Sequence, residues 1–208
     1  MSVEIWCAFV LTASVILVIP GPTIIYVVGQ SLTHGRKVSI PLSLGVILGD
    51  AICIILSFIG ISTLLSLFSA ALAVIKYIGA AYLIYLGLKM LVANSGLNNQ
   101  KVTEAPFYHP KTLFRDVFFV NALNPKGIIF YSAFMPQFIT PGYDVGFQFM
   151  LLAMTFLCLA LINVTFYSLL AAKANELFRS VRFTKGFNVT GGLSLIFAGL
   201  YTATIEKR

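Results

Sequence analysis

Residues 19–30 read IPGPTIIYVVGQ. Two prolines and a glycine sit inside an apolar run that holds no Asp, Glu, Lys or Arg between Ile5 and Gly35. Proline lacks the N–H that a helix interior needs, and its ring clashes with the preceding turn at a cost of about 3 kcal/mol. A chain that carries such a break through an apolar segment must have a use for the backbone groups it frees.

The composition around this stretch decides the solvent. Of 208 residues, 59% are hydrophobic and 10% charged, and the mean hydropathy is +0.94, which is far from the composition of soluble domains. The reading is an all-α integral membrane protein. A spanning helix takes roughly 20 apolar residues, because about 1.5 Å of rise per residue must cover about 30 Å of hydrocarbon. Six spans are therefore expected, at about 5–30, 39–65, 70–92, 116–139, 145–172 and 187–205.

The formal charge of +7 points to orientation rather than to a nucleic acid, since Lys and Arg are unevenly placed. Arg36, Lys37, Lys89, Lys101, Lys111, Arg115, Lys173, Arg179, Arg182 and Lys185 fall in three segments, 31–38, 89–115 and 173–186. Lys207 and Arg208 oppose that trend, and the loops near 66–70 and 140–144 hold no basic residue. Positive charge marks the cytoplasmic side, so both termini are expected outside, in a multi-pass protein of a bacterial inner membrane. The opening MSVEIW carries an acid where a signal peptide carries positive charge, and the first span reads as retained. Cys7, Cys53 and Cys158 stand singly in apolar runs and read as small hydrophobes.

The polar stretch 94–112 divides the spans three and three, giving a first half at 1–93 and a second at 113–208. Within the halves, PGPTIIY at 20–26 aligns with NPKGIIF at 124–130, and GAAYLIYLGL at 79–88 shares five of ten positions with GGLSLIFAGL at 191–200. A repeat of three spans returns inverted, because an odd number of crossings reverses the direction in which the chain enters the membrane. The expected architecture is two inverted three-helix repeats with broken first and fourth helices, whose breaks meet near the midplane.

Asp50 and Lys126 are ionisable residues deep in spans, where a charge costs about 2.5–3.5 kcal/mol even on the lenient insertion scale. Either they neutralise each other as an ion pair, or they bind a zwitterion or relay a proton. Of the other polar residues at depth, Thr12 and Ser14 satisfy carbonyls of their own helix. Thr23, Asn121, Asn124 and Asn163 remain, and an Asn amide is costly to hide from water, which makes Asn124 and Asn163 candidates to line a cavity. The Gly45–Gly49 pair, with Gly79–Gly87 and Gly191–Gly199, offers smooth faces for helix packing. Trp6 and Tyr143 read as interfacial anchors. His34 and His109 lie apart from other ligands, so no metal site is expected.

The block PGPTIIYVVGQSLTHGRKVSIPLSLGVILGD, followed by IKYIGAAYLIYLGLKML and FRDVFFVNALNPKGIIFYSAFMPQFI, strongly resembles the lysine exporter (LysE/RhtB) superfamily over nearly the whole chain. That resemblance implies a proton-driven exporter of amino acids or their derivatives, acting without a cofactor and forming dimers. It also implies roles for Asp50 as the acid of the Gly-Asp motif, for Pro20, Gly21 and Pro22 as the first break, and for Asn124, Pro125 and Lys126 as the second. Thr23 departs from the Asn that many relatives have after the PGP. An intramembrane aspartyl protease is disfavoured, since that chemistry needs two carboxylates sharing a proton. A metal-ion exporter, which distant relatives include, is the alternative. With Asp50 as the acid found at depth, neutral amino acids are favoured over cationic ones.

Overall fold

The computed structural model describes residues 1–63, 65–93, 109–178 and 181–204, and these form helices joined by short turns. Most of the 94–112 stretch lies outside the described residues. Helix α1 runs Val3–Val18 and is capped by Ser2, whose side chain accepts from the Ile5 amide. The chain is non-helical through Ile19, Pro20 and Gly21, and α2 starts at Pro22 and runs to His34. A 3-10 turn, Gly35–Val38, leads to α3, Ser39–Thr63, and α4 spans Leu65–Ala93. In the second half α5 covers Pro110–Ala122, a second break falls at Leu123 and Asn124, and α6 begins at Pro125. Helix α6, Pro125–Ile129, continues through a π turn at Phe130–Phe134 and a 3-10 turn at Met135–Phe138. Helices α7, Val145–Phe178, and α8, Val181–Thr204, complete the fold.

Both breaks fall where the proline motifs place them, but the prolines act differently from interior kinks. Pro22 and Pro125 occupy the first turn of the helix that follows each break, where a missing N–H costs nothing and the fixed φ suits a helix. The interruption itself lies just before them, at extended Ile19 and Gly21 in one half and extended Asn124 in the other.

Side-chain contacts give the direction of each helix. Trp6 Nε1 donates to Thr155 Oγ1 and Tyr167 donates to the Val18 carbonyl, so α1 runs parallel to α7. The same sense continues in α2, where Ser31 meets Ser168 at 2.8 Å. Ser39 reaches that same Ser168 at 2.7 Å, Ser43 pairs with Thr165, and Phe58 stacks near Phe149. Helix α3 therefore runs back along α7, the chain having turned at Gly35, whose φ of 71° is the left-handed region that favours glycine. Gly45 packs on Val117 and Gly49 on Asn121, setting α5 parallel to α3. Gly87 against Gly192 and Ala80 against Gly199 set α4 and α8 antiparallel, and Asn188 bonds Thr33 across α8 and α2. Helices α1, α2, α4 and α7 thus run one way and α3, α5 and α8 the other.

By length and composition, two stretches among the described residues suffice to cross a membrane, Pro22–Ile59 and Val145–Ala174, while Val3–Val18 and Ala80–Val92 are shorter apolar helices. The first stretch joins α2 to α3 through the turn at Gly35, and is two antiparallel helices rather than one rod. Outward faces are apolar as well, with Leu11, Ile40, Phe147 and Phe197 all exposed, as suits a lipid solvent. The core divides in two. One cluster gathers Tyr26, Val27, Leu42, Leu83, Leu86 and Leu195, and the other gathers Phe9, Phe130, Tyr131, Met135, Leu152 and Phe156.

The glycine faces are used within the chain. A Cβ added at Gly87 would lie 2.5 Å from the Gly192 carbonyl oxygen, a backbone atom that cannot rotate away, whereas one at Gly186 would meet nothing within 4 Å. Gly87→Leu is expected to lower stability by about 1–3 kcal/mol through forced separation of α4 and α8, and Gly186→Ala to cause no loss. Thermal unfolding of the two variants in detergent micelles checks this.

Candidate functional site

A helix broken inside an apolar medium leaves carbonyls and N–H groups that water cannot reach, and each must find a protein partner. At the end of α1 the Val18 carbonyl accepts from the Tyr167 hydroxyl at 2.9 Å, and the Ile19 carbonyl accepts from Lys126 Nζ at 2.6 Å. At the start of α6 the Asn124 side chain caps the Lys126 amide at 3.1 Å. Gly21 offers no side-chain cap, and among the described residues no side chain caps the N–H groups that follow Pro22 at the start of α2. Lys126 thus ties the second break to the first.

Next to these breaks, at the seam between the two core clusters, lies a cavity of about 60 Å³. Gly21, Thr23, Asp50, Asn124, Lys126 and Asn163 all line it, so most of the candidate residues from the sequence converge. Pro20 instead faces an apolar groove formed with α7 and α8, and Pro22 and Pro125 serve as helix starts.

Asp50 is 5% exposed. Its Oδ1 accepts from Asn121 Nδ2 and from the Tyr131 hydroxyl, each at 2.6 Å. Among the described residues its Oδ2 finds no hydrogen-bond donor, and Asp50 lines the cavity. The Asn121 amide is held in turn: Nδ2 also donates to the Val46 carbonyl at 2.9 Å, and Oδ1 accepts from Thr23 Oγ1 at 3.0 Å. Thr23 accepts from Asn124 Nδ2 at 3.1 Å. A continuous hydrogen-bonded line therefore runs from Asn124 through Thr23 and Asn121 to Asp50, joining both breaks to the buried acid.

Asp50 and Lys126 do not form an ion pair. They face one cavity, the carboxylate held by Asn121 and Tyr131 and the ammonium by the Ile19 carbonyl. Asn163 lines the same space, with no hydrogen-bond partner among the described residues. Thr12 donates to the Ala8 carbonyl at 2.8 Å, the local role expected of it.

Tyr131 and the role of Asn121 escaped the sequence reading. The available signal was spacing, since Tyr131 lies seven residues beyond Asn124 and so shares its face two helical turns on. A second acid was also missed. Asp116, at the start of the fourth apolar segment, is 1% exposed and is paired with Lys89 and Arg115.

Comparison with known proteins adds an independent finding. The family model described as LysE type translocator matches residues 14–205. An "Uncharacterized membrane protein" of Vibrio cholerae serotype O1 is 32% identical over 206 residues, covering 99% of this chain and 100% of that protein. A "Homoserine/homoserine lactone efflux protein" of Salmonella typhimurium is 30% identical over 204 residues, and one of Salmonella typhi 31% over 204, each covering 98% of both chains. No solved structure matches.

The geometry ranks the two donors on Asp50. Tyr131→Phe removes one hydrogen bond to a charged group and leaves the Asn121 donor in place, so a loss of about 1.5 kcal/mol is expected. Asn121→Ala strips Asp50, Val46 and Thr23 of partners together and should cost about 2–3 kcal/mol or more. Thermal unfolding of both variants in detergent tests the order.

Proposed function

The chain belongs to the LysE type translocator family, and from that premise we propose that it is a secondary active exporter of neutral amino acids or their derivatives, driven by proton antiport. One observation carries the reading: a carboxylate and an ammonium face one small cavity without neutralising each other. A zwitterion needs that arrangement. Its ammonium goes to Asp50 Oδ2, and its carboxylate to Lys126 and to the uncapped N-terminus of α2, whose free N–H groups and partial positive charge favour an anion. A substrate bearing an ammonium but no carboxylate, such as an amino-acid lactone, uses the Asp50 side alone.

The balance of charge supports a neutral substrate. Asp116 is compensated by Lys89 and Arg115, so Asp50 and Lys126 contribute one charge of each sign to the cavity. The names of the Salmonella relatives make homoserine and its lactone the first compounds to assay.

Coupling follows from competition. A substrate ammonium and a proton both neutralise Asp50, so an arriving ammonium displaces a proton, and a proton from the acidic outer side releases the ammonium outwards. Access from alternate sides is the task of two inverted three-helix repeats spanning the membrane six times. That architecture is supported by the alternating helix directions and by the matching breaks before Pro22 and Pro125. Orientation is supported by charge, because Arg36, Lys37, Lys89, Lys111, Arg115 and Lys173 lie at one end of the bundle, which the positive-inside rule makes cytoplasmic. Both termini are then external.

Two experiments test this reading. Single cysteines at Lys111 and at Pro141, placed in a cysteine-free background, are expected to label from the cytoplasm and from outside respectively; labelling of both from one face overturns the topology. For the mechanism, Asp50→Asn keeps an oxygen for Asn121 and Tyr131 but cannot exchange a proton. The variant is expected to insert and unfold like the wild type while proton-driven efflux and its pH dependence disappear. Proton-coupled homoserine efflux by that variant, measured in vesicles, would remove Asp50 from coupling.

A further inference from the structure

Below the cavity, α2 and α5, which supply Thr23 and Asn121 to its polar line, share a second network with α4. Asp116 accepts from the Tyr26 hydroxyl at 3.4 Å and from the Tyr82 hydroxyl at 3.3 Å. Lys89 Nζ binds its Oδ2, and Arg115 Nη2 its Oδ1 at 3.1 Å. Helices α2, α4 and α5 are pinned together at this one carboxylate. Tyr26 lies one turn along α2 from Thr23, and Asp116 lies five residues before Asn121 on α5, about 7.5 Å along the axis at 1.5 Å per residue. Both steps lead towards the end of the bundle that bears the basic residues.

The contrast in exposure within this network is informative. Asp116 and Tyr26 are each 1% exposed, whereas the side chains of Lys89 and Arg115 are 43% and 61% exposed. The carboxylate is fixed inside, and its counter-charges reach it from the surface on long flexible stems. Val117 and Val120 of α5 and Val27 of α2, all fully buried, pack with Tyr26 in one apolar cluster. The α2–α5 seam is therefore shut on this side by a thin apolar layer backed by an ion pair. On the other side of the cavity packs the second cluster, with Phe9, Phe130, Met135 and Phe156.

We propose that Asp116 is an ammonium site at the inner gate of the pathway, latched by Lys89, whose own ammonium holds the position that a substrate ammonium takes when the seam opens. Lys89 presents the same primary ammonium as an amino acid or its derivative, so the exchange conserves the charge on the buried carboxylate. Losing Lys89 outright would leave the buried Oδ2 without its charged partner, with Arg115 on Oδ1 alone. The exchange also makes opening depend on a substrate of the right class. The inference deepens the export reading and rests on it for the direction of traffic.

The test reads access rather than transport. In a chain with Cys7, Cys53 and Cys158 replaced, Asn163→Cys places a thiol on the cavity, and a membrane-impermeant thiol reagent is applied to inside-out vesicles. Lys89→Met is expected to label several-fold faster than the parent, Tyr82→Phe to a smaller degree, and Lys89→Arg at the parental rate. Methylammonium chloride should speed labelling of the parent more than the same concentration of tetramethylammonium chloride, which has no N–H to donate, and should do nothing in Asp116→Asn. Parental labelling rates in both Lys89→Met and Tyr82→Phe overturn the latch, whatever happens to their thermal stability. Equal effects of the two ammonium salts overturn the ammonium site. Homoserine efflux by the wild-type chain is measured in parallel, so faster labelling of Lys89→Met together with no efflux by the wild type would leave the latch standing and discard the export reading.

Discussion

The backbone groups released at Ile19–Gly21 and at Leu123–Asn124 are the constraint on which the rest of this structure depends. In a lipid solvent an unsatisfied carbonyl or N–H costs several kcal/mol, so a chain cannot interrupt two helices at depth without supplying partners. Tyr167 reaches from α7 to the Val18 carbonyl, Lys126 from α6 to the Ile19 carbonyl, and Asn124 folds back on the Lys126 amide. These contacts bring α6 and α7 to the end of α1. The site is assembled as a by-product of satisfying the breaks.

Fixing Lys126 on a carbonyl has a second effect, because it keeps the ammonium from collapsing onto Asp50. A hydrogen bond to a charged group contributes about 1.5–3 kcal/mol, and Asp50 Oδ1 has two such donors. That offsets an insertion cost of about 2.5–3.5 kcal/mol for a charge at the bilayer centre without a counter-ion. Two charges of opposite sign can then coexist a short way apart with the cavity between them. A direct pair would be more compact and would offer nothing to a zwitterion.

The division of the core bears on how such a site can open. Polar groups lie at the seam between the apolar cluster around Leu83, Leu86 and Leu195 and the aromatic cluster around Phe9, Phe130 and Phe156. Interiors are close-packed and switch between discrete arrangements rather than deforming smoothly. Two separately packed clusters with a hydrogen-bonded layer between them allow one to loosen while the other holds. Thr23, bonded to both Asn121 and Asn124, ties the two breaks together across that layer.

Composition and local order along the chain determined a good deal. Apolar runs long enough for lipid, a Pro-Gly-Pro and an Asn-Pro-Lys inside them, and Asp50 at depth were sufficient to read a membrane protein of helices with two breaks, because each is a property of a few neighbouring residues and their solvent. Thr23, Asp50, Asn124, Lys126 and Asn163, which line the cavity, stood out in the sequence for the same reason, since polar groups at membrane depth have few other uses. Which partner each group takes was decided only by the tertiary structure. Lys126 and Asp50 look like an ion pair from depth alone, yet the nearer acceptor for Lys126 is a carbonyl 107 residues away in the chain. Tyr131 looks like one more aromatic in an apolar run until α3 brings Asp50 against it. Asp116 reads as an acid at a span's edge, and it is buried because Tyr26, Tyr82 and Lys89 converge on it from helices α2 and α4. Hydrogen bonds of this kind depend on positions to within a fraction of an ångström, and packing between distant segments sets those positions.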